Sequence, residues 1–152
     1  GQILLNDLDP SVRPSRSITV EVRKSSDDSL VETKNVNVNA NDDYSFSTSA
    51  SGSVYLMVKA KGFLNKKSAT FTAGSNPVNA SLINGDIDGD NSITVFDYGV
   101  LSDYFDKSSS DSDWNTVGGN GSAPADADID GDGAVTVFDY GVLSNNFDQS
   151  GD

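Results

Sequence analysis

The chain has 152 residues and a formal net charge of −13, with neither cysteine nor histidine. That composition excludes disulfide frameworks, zinc sites and histidine-based catalytic triads. So negative a charge also argues against nucleic acid, because binding a phosphate backbone requires cations that release its counterions. What remains natural is a hard cation held by oxygen, and two Ca²⁺ would offset four of the negative charges.

From Gln2 to about Ile83 the apolar residues recur with period two, the spacing that places alternate side chains on one face of a strand. Ile18, Val20 and Val22 alternate with polar residues, as do Val36 and Val38, and Val54, Leu56 and Val58 alternate with Tyr55, Met57 and Lys59. Further strands are expected at Ile3–Leu5, Tyr44–Phe46, Ala69–Phe71 and Val78–Leu82. Turn chemistry separates them at Ser25–Ser29, Asn39–Asp43, Ser51–Ser53 and Gly74–Pro77. About seven short antiparallel strands make a small sandwich. Every basic residue except Lys107 lies at or before Lys67, and acids dominate from Thr70 onward. The expected organisation is therefore an all-β sandwich over 1–83 followed by a small all-α calcium-binding module over 84–152. Asp42-Asp43-Tyr44-Ser45-Phe46 followed by Gly52-Ser53-Val54-Tyr55-Leu56-Met57-Val58 resembles the carboxypeptidase-regulatory or transthyretin-like sandwiches of secreted bacterial proteins. That resemblance implies a spacer or stabilising neighbour.

The second part contains an internal repeat spaced by 42 residues: DIDGDNSITVFDYGVLSDYFD at Asp86–Asp106 and DIDGDGAVTVFDYGVLSNNFD at Asp128–Asp148. Between them Lys107–Ala127 reads as a connecting loop, with Trp114 as a plug over the helices. Each repeat opens on a twelve-residue loop that can offer Ca²⁺ oxygens from positions 1, 3, 5, 7, 9 and 12. In the first these are Asp86, Asp88, Asp90, the Ser92 carbonyl, Thr94 and Asp97; in the second, Asp128, Asp130, Asp132, the Ala134 carbonyl, Thr136 and Asp139. Position 6 must take a positive φ, which Gly133 does freely and Asn91 tolerates. At position 8, Ile93 and Val135 suit a short β contact between two loops lying side by side. A solvated acidic linker would explain one such loop, but not every ligand position matching twice. Aspartates so crowded repel one another, so calcium is expected to order the module.

Aspartate at position 12 departs from the usual EF-hand glutamate, and the segments before the loops carry no helical pattern: Val78–Ile83 reads as strand and Gly121–Ala127 as coil. What remains is loop followed by helix, duplicated, which resembles the dockerin module of the bacterial cellulosomes that degrade polysaccharides. The preceding sandwich makes the chain similar to the X-module–dockerin pairs of scaffold-anchoring systems. In the helices after the loops, Leu101, Phe105, Leu143 and Phe147 are the expected core pairs, and Gly99 and Gly141 suggest close backbone approach. The resemblance implies a cohesin partner contacted through Val95, Phe96, Ser102 and Asp103, with Val137, Phe138, Ser144 and Asn145 as counterparts. The Val-Phe pair looks closer to the more apolar second class of dockerins than to the hydroxyl pair of enzyme-borne ones. Phe96 and Phe138 read equally as core or as contact residues. Their repetition would let a partner bind in either of two orientations, a symmetry that Tyr104 against Asn146 breaks.

The function expected is a non-catalytic, calcium-dependent docking unit attaching a secreted protein to a cohesin-type partner or scaffold, braced by the sandwich. The alternative is a calcium-stabilised extracellular subunit that assembles with identical copies into filaments or a surface layer. No nucleic acid and no membrane insertion are expected, and no membrane-length apolar run or signal peptide is visible. Millimolar calcium points outside the cell, with a bacterial surface as one setting. Gly1 reads as the start of a processed or excised fragment.

Overall fold

The computed structural model describes residues 1–74 and 77–152; Ser75 and Asn76, within the turn expected at Gly74–Pro77, lie outside the described residues. Among the described residues nine strands come first: β1 (Ile3–Leu5), β2 (Ile18–Lys24), β3 (Leu30–Val36), β4 (Ser53–Ala60), β5 (Gly62–Phe63), β6 (Lys66–Lys67), β7 (Phe71–Thr72), β8 (Ala80–Leu82) and β9 (Asn84–Asp86). The helices α1 (Val95–Asp103), α2 (Pro124–Ala127) and α3 (Val137–Asn145) follow. The fold is thus mostly β-sheet with few helices, and no helix among the described residues is long and apolar enough to cross a membrane.

The main sheet runs β3-β2-β4-β6, with β7 also pairing β4, and all its ladders are antiparallel. Its inward face carries the alternating set expected from the sequence. Ile18, Val20, Val22, Val54, Leu56 and Val58 are buried against Ile3, Leu5 and Leu82 of the β1–β8 pair, together with Leu8, Val36, Val38, Tyr44 and Phe63. Burying each aliphatic side chain of this kind stabilises the fold by about 1.5–3 kcal/mol.

Two expectations are corrected in this layer. β1 and β8 run parallel, Ile3 facing Ala80 and Leu5 facing Leu82; period two reports which face is buried and carries no information on strand direction. Tyr44–Phe46 is not a strand, only Gln2 and Asp43 forming an isolated bridge nearby. Here the Asn39 side chain accepts from the amides of Asn41 and Asp43, and Asp42 takes φ 62°, so the chain turns out of register. Tyr44 still reaches the core, its hydroxyl donating to the Val78 carbonyl at 2.9 Å.

A second core gathers Leu64, Ile87, Ile93, Val100, Leu101, Ala127, Ile129, Val135 and Leu143, with Trp114 partly buried against it. Leu101 and Leu143 are fully buried as expected, but Phe105 and Phe147 are each 47% exposed. The reason is where the helices stop. α1 and α3 end at Asp103 and Asn145, and Asp106 and Asp148 take φ 66° and 65°. The phenylalanines therefore sit beyond the last turn, where the i, i+4 stripe no longer exists. Gly121–Ala127, expected as coil, contains α2, started by Pro124 at its first position and by the Asp126 carboxylate accepting from the Ala123 amide.

The strand half is not insulated from the helical core. Leu64, just after β5, packs into it, and β5 pairs with β9 at the entry to the first loop. Asn84 is buried, its Nδ2 donating to the Ile129 carbonyl at 2.7 Å, while its own carbonyl accepts from Asn146 Nδ2 at 3.0 Å. The next residue, Gly85, has φ 124°, and a β-carbon there would stand 3.1 Å from Leu143 Cδ1 and 3.3 Å from Ile93 Cδ1. A side chain there would be strained by the positive φ and would press on both neighbours, which glycine avoids.

Candidate calcium loops and the exposed helix faces

Each acidic loop wraps around its own position-12 aspartate. Asp97 is fully buried, its Oδ1 accepting from the amides of Ile87 (2.7 Å) and Asp88 (3.2 Å) and its Oδ2 from Thr94 (2.8 Å). Asp139 repeats the pattern with Ile129 (2.6 Å), Asp130 (3.1 Å) and Thr136 (2.7 Å). Thr94 Oγ1 and Thr136 Oγ1 accept from the amides of Phe96 and Phe138, so each loop ends in a reciprocal helix cap. Asn91 and Gly133 take the positive φ expected at position 6, 69° and 92°.

The ligand sets come together in part. Asp86, Asp88 and Asp97 form one cluster and Asp128, Asp130 and Asp139 another, with ligand oxygens within 4.8 Å of each other. The position-5 aspartates lie outside these clusters: Asp90 Oδ1 accepts from the Ser92 amide and Asp132 Oδ1 from the Ala134 amide, inside their own loops. Burial above all, then the neighbouring Asp97, Asp88 and Asp90 carboxylates, pushes Asp86 up to about 6, against the opposing hydrogen bond from Asn91. Burial and the Asp139 carboxylate likewise push Asp128 up to about 6. Asp88 and Asp130 are also raised, again chiefly by burial.

The first loop carries a further mark. Asp86 Oδ1 is buried with no hydrogen-bond donor among the described residues. A buried carboxylate oxygen without a partner costs several kcal/mol. Oxygen donors of this kind, crowded and negatively charged, fit a hard divalent cation that prefers carboxylate and carbonyl ligands.

The loops are not tied to one another at position 8 as expected. Ile93 donates to Gln149 O (2.8 Å) and accepts from the Asp148 amide (2.9 Å), while Val135 donates to Lys107 O (2.8 Å) and accepts from the Asp106 amide (3.0 Å). Each loop is thus closed by the segment that follows the other repeat's helix.

The strand half grips both loops through contacts that no residue pattern announces. The Asn91 side chain accepts from the Asn65 amide at 2.8 Å, and the Asp130 carbonyl accepts from the Asp9 amide at 2.7 Å. The segment after α3 adds a clasp, in which Gly151 N donates to Asn91 O, Asp152 N to Asn65 O, and Lys67 N to Asp152 Oδ2. Asn91 in place of a second glycine was the one visible signal, since its side chain does what glycine has no atoms to do.

All eight expected contact residues lie at the surface. Val95 and Phe96 are 65% and 69% exposed, and Val137 and Phe138 are 66% and 68% exposed. This resolves the open choice for the two phenylalanines, which are not core. Ser144 Oγ is engaged with Tyr98 OH at 2.7 Å. Gly99 and Gly141 do not mark close approach, for a β-carbon at either would meet nothing within 4 Å.

The family model for the dockerin type I domain matches residues 84–148. No curated protein matches the chain. Among solved structures, it is similar to a C-terminal interface mutant of a type II cohesin–X-dockerin complex from Acetivibrio cellulolyticus. That match has a TM-score of 0.72 and 20% identity over 99% of this chain and 94% of that one. An N-terminal interface mutant of the complex matches with a TM-score of 0.71 and 18% identity over the same shares of the two chains. At these identities the likeness shows the fold.

Proposed function

We propose that this chain, whose residues 84–148 match the model of the dockerin type I domain, is a non-catalytic docking unit that binds a cohesin-type domain when loaded with calcium. Residues 84–152 are the docking module and residues 1–83 its brace. The observation that carries the reading is the matched pair of surface patches, Val95-Phe96 and Val137-Phe138, each set directly on an acidic loop. Large apolar side chains so exposed are typical of interaction sites.

One ion is assigned to each loop: Asp86, Asp88, Asp90, Asp97, the Ser92 carbonyl and Thr94 in the first, and Asp128, Asp130, Asp132, Asp139, the Ala134 carbonyl and Thr136 in the second. Bound calcium supplies the positive charge that lets these carboxylates stay ionised while packed together. The protein's own residues do the rest. Asp97 and Asp139 organise loop amides, Thr94 and Thr136 start the helices, and the helices present the patches. The brace acts through Asn65 on the first loop and Asp9 on the second. Setting and partner follow together: a secreted protein, in millimolar calcium, delivered to a scaffold.

Calorimetry against a panel of cohesin domains, in calcium and in chelator, tests this. Binding in calcium that vanishes with chelator is expected; no binding by any cohesin would sink it. The exposed Leu30 and Val31 on the edge strand β3 favour a second reading, assembly of identical copies through that edge. Sedimentation velocity in calcium distinguishes the two, since docking expects a monomer.

A further inference from the structure

We propose that a groove along α1, floored by Gly99 and Val100 and bounded by Phe96, Asp103 and Asn120, receives a lysine or arginine side chain of the docking partner, which makes the first repeat's face the preferred one. The inference rests on the docking reading above. The groove is open and has a volume of about 320 Å³. Its floor is paradoxical for a helix. A glycine inside a helix is less stable there than alanine, and nothing inside this protein needs the space, because a β-carbon at Gly99 would meet nothing within 4 Å. The room is kept on the outside, beside the most exposed aromatic ring of the helix.

The wall supplies the charge. Asn120, from the connecting loop, donates through Nδ2 to Asp103 Oδ2 at 3.0 Å, and its own Oδ1 accepts from Tyr104 OH at 2.9 Å and from the Ser122 amide at 3.1 Å. Asp103 is therefore held in place at the groove's end, exposed, and forms no ion pair among the described residues. Asp88 also lines the groove, but its charge is assigned to calcium. A long cationic side chain matches this arrangement, its methylenes lying on Gly99, Val100 and Phe96 and its head on Asp103. The wider field agrees, since residues 84–152 hold fifteen aspartates against one lysine.

The second repeat offers the same apolar residues without this groove chemistry. Asn145 replaces Asp103, and Asn146 replaces Tyr104 and is turned inward to the Asn84 carbonyl and Asp7. The two faces share their exposed apolar residues and differ in charge, so the two orientations of a bound partner are not equivalent.

The test uses the whole chain and a cohesin domain that binds it in calcium. Asp103→Asn is expected to weaken binding about tenfold, and a lysine or arginine of the cohesin whose replacement by methionine removes that difference is the occupant. Gly99→Ala should raise the melting temperature yet weaken binding about tenfold, while Gly141→Ala raises it with a smaller effect on binding. Binding unchanged by both Asp103→Asn and Gly99→Ala, or weakened as much by Gly141→Ala as by Gly99→Ala, overturns the inference and leaves docking intact. Failure of every cohesin to bind the unaltered chain removes both, and it is seen before any variant is made.

Discussion

Titrating calcium into the metal-free protein at pH 6 should release about one proton per chain. Asp86 and Asp128 are each raised to about 6 by burial and by neighbouring carboxylates, so at that pH each is about half protonated, and the ion takes only the ionised form. At pH 7.5 each is only about 3% protonated and almost no proton should be released; at pH 5 both are about 90% protonated and each loop should bind about tenfold more weakly than at pH 7. The stability of the metal-free fold follows with a definite sign. Between the ordinary value of 3.8 and about 6 these two carboxylates hold more protons in the folded chain than in the unfolded one. Their contribution to metal-free stability therefore rises as pH falls through 6 towards 4, by up to about 3 kcal/mol per carboxylate, and that gain is absent at neutral pH; it dominates down to pH 5, above the range in which the carboxylates lowered by their ion pairs and hydrogen bonds take up protons. Calorimetry in buffers of different ionisation heat, at pH 6 and 7.5, counts the protons, and melting in chelator at pH 5 and 7.5 gives the stability. A proton count near zero at pH 6, or a metal-free protein more stable at pH 7.5 than at pH 5, would refute the reasoning.

Other substitutions test the framework around the ions. Asp97→Ala leaves three loop amides without their acceptor and should lower stability in calcium by about 3 kcal/mol, read from denaturant midpoints, while reducing the calcium stoichiometry by one. Gly85→Ala, forced to hold φ 124° against Leu143 and Ile93, should cost about 2 kcal/mol in the same assay. Leu143→Ala should cost about 3 kcal/mol, whereas Phe147→Ala, half exposed beyond the helix and touching the Tyr98 ring at 5.5 Å, should cost about 1 kcal/mol or less. Equal losses for the last pair would restore the phenylalanine to the core.

What the sequence made legible is what depends on near neighbours. The alternation of Ile18, Val20 and Val22 identified a buried strand face, and the spacing from Asp86 to Asp97 identified a loop, because both patterns are set within a dozen residues. The parallel pairing of β1 with β8 escaped, since nothing in Ile3–Leu5 records the direction of a strand that begins at Ala80. Phe105 and Phe147 were misplaced for a subtler cause. Their spacing from Leu101 and Leu143 fits a helix, but the helix has ended, and the left-handed aspartates that follow are not distinguishable by type from the aspartates of the loops. The contacts of Asn65, Asn84 and Asn146 were out of reach, because an amide side chain gives no sign of the distant partner that satisfies it.

The crossed closure of the loops separates the unit of repetition from the unit of folding. One repeat, cut out alone, would carry a full set of acidic residues and a helix, yet it would lack the segment that seals its loop, because Ile93 is sealed by residues after α3 and Val135 by residues after α1. Such a half-molecule could complete itself only by exchanging tails with a second copy. Duplication within one chain makes that exchange permanent: the partner is always at hand, its concentration no longer matters, and each repeat's tail serves the other repeat's loop.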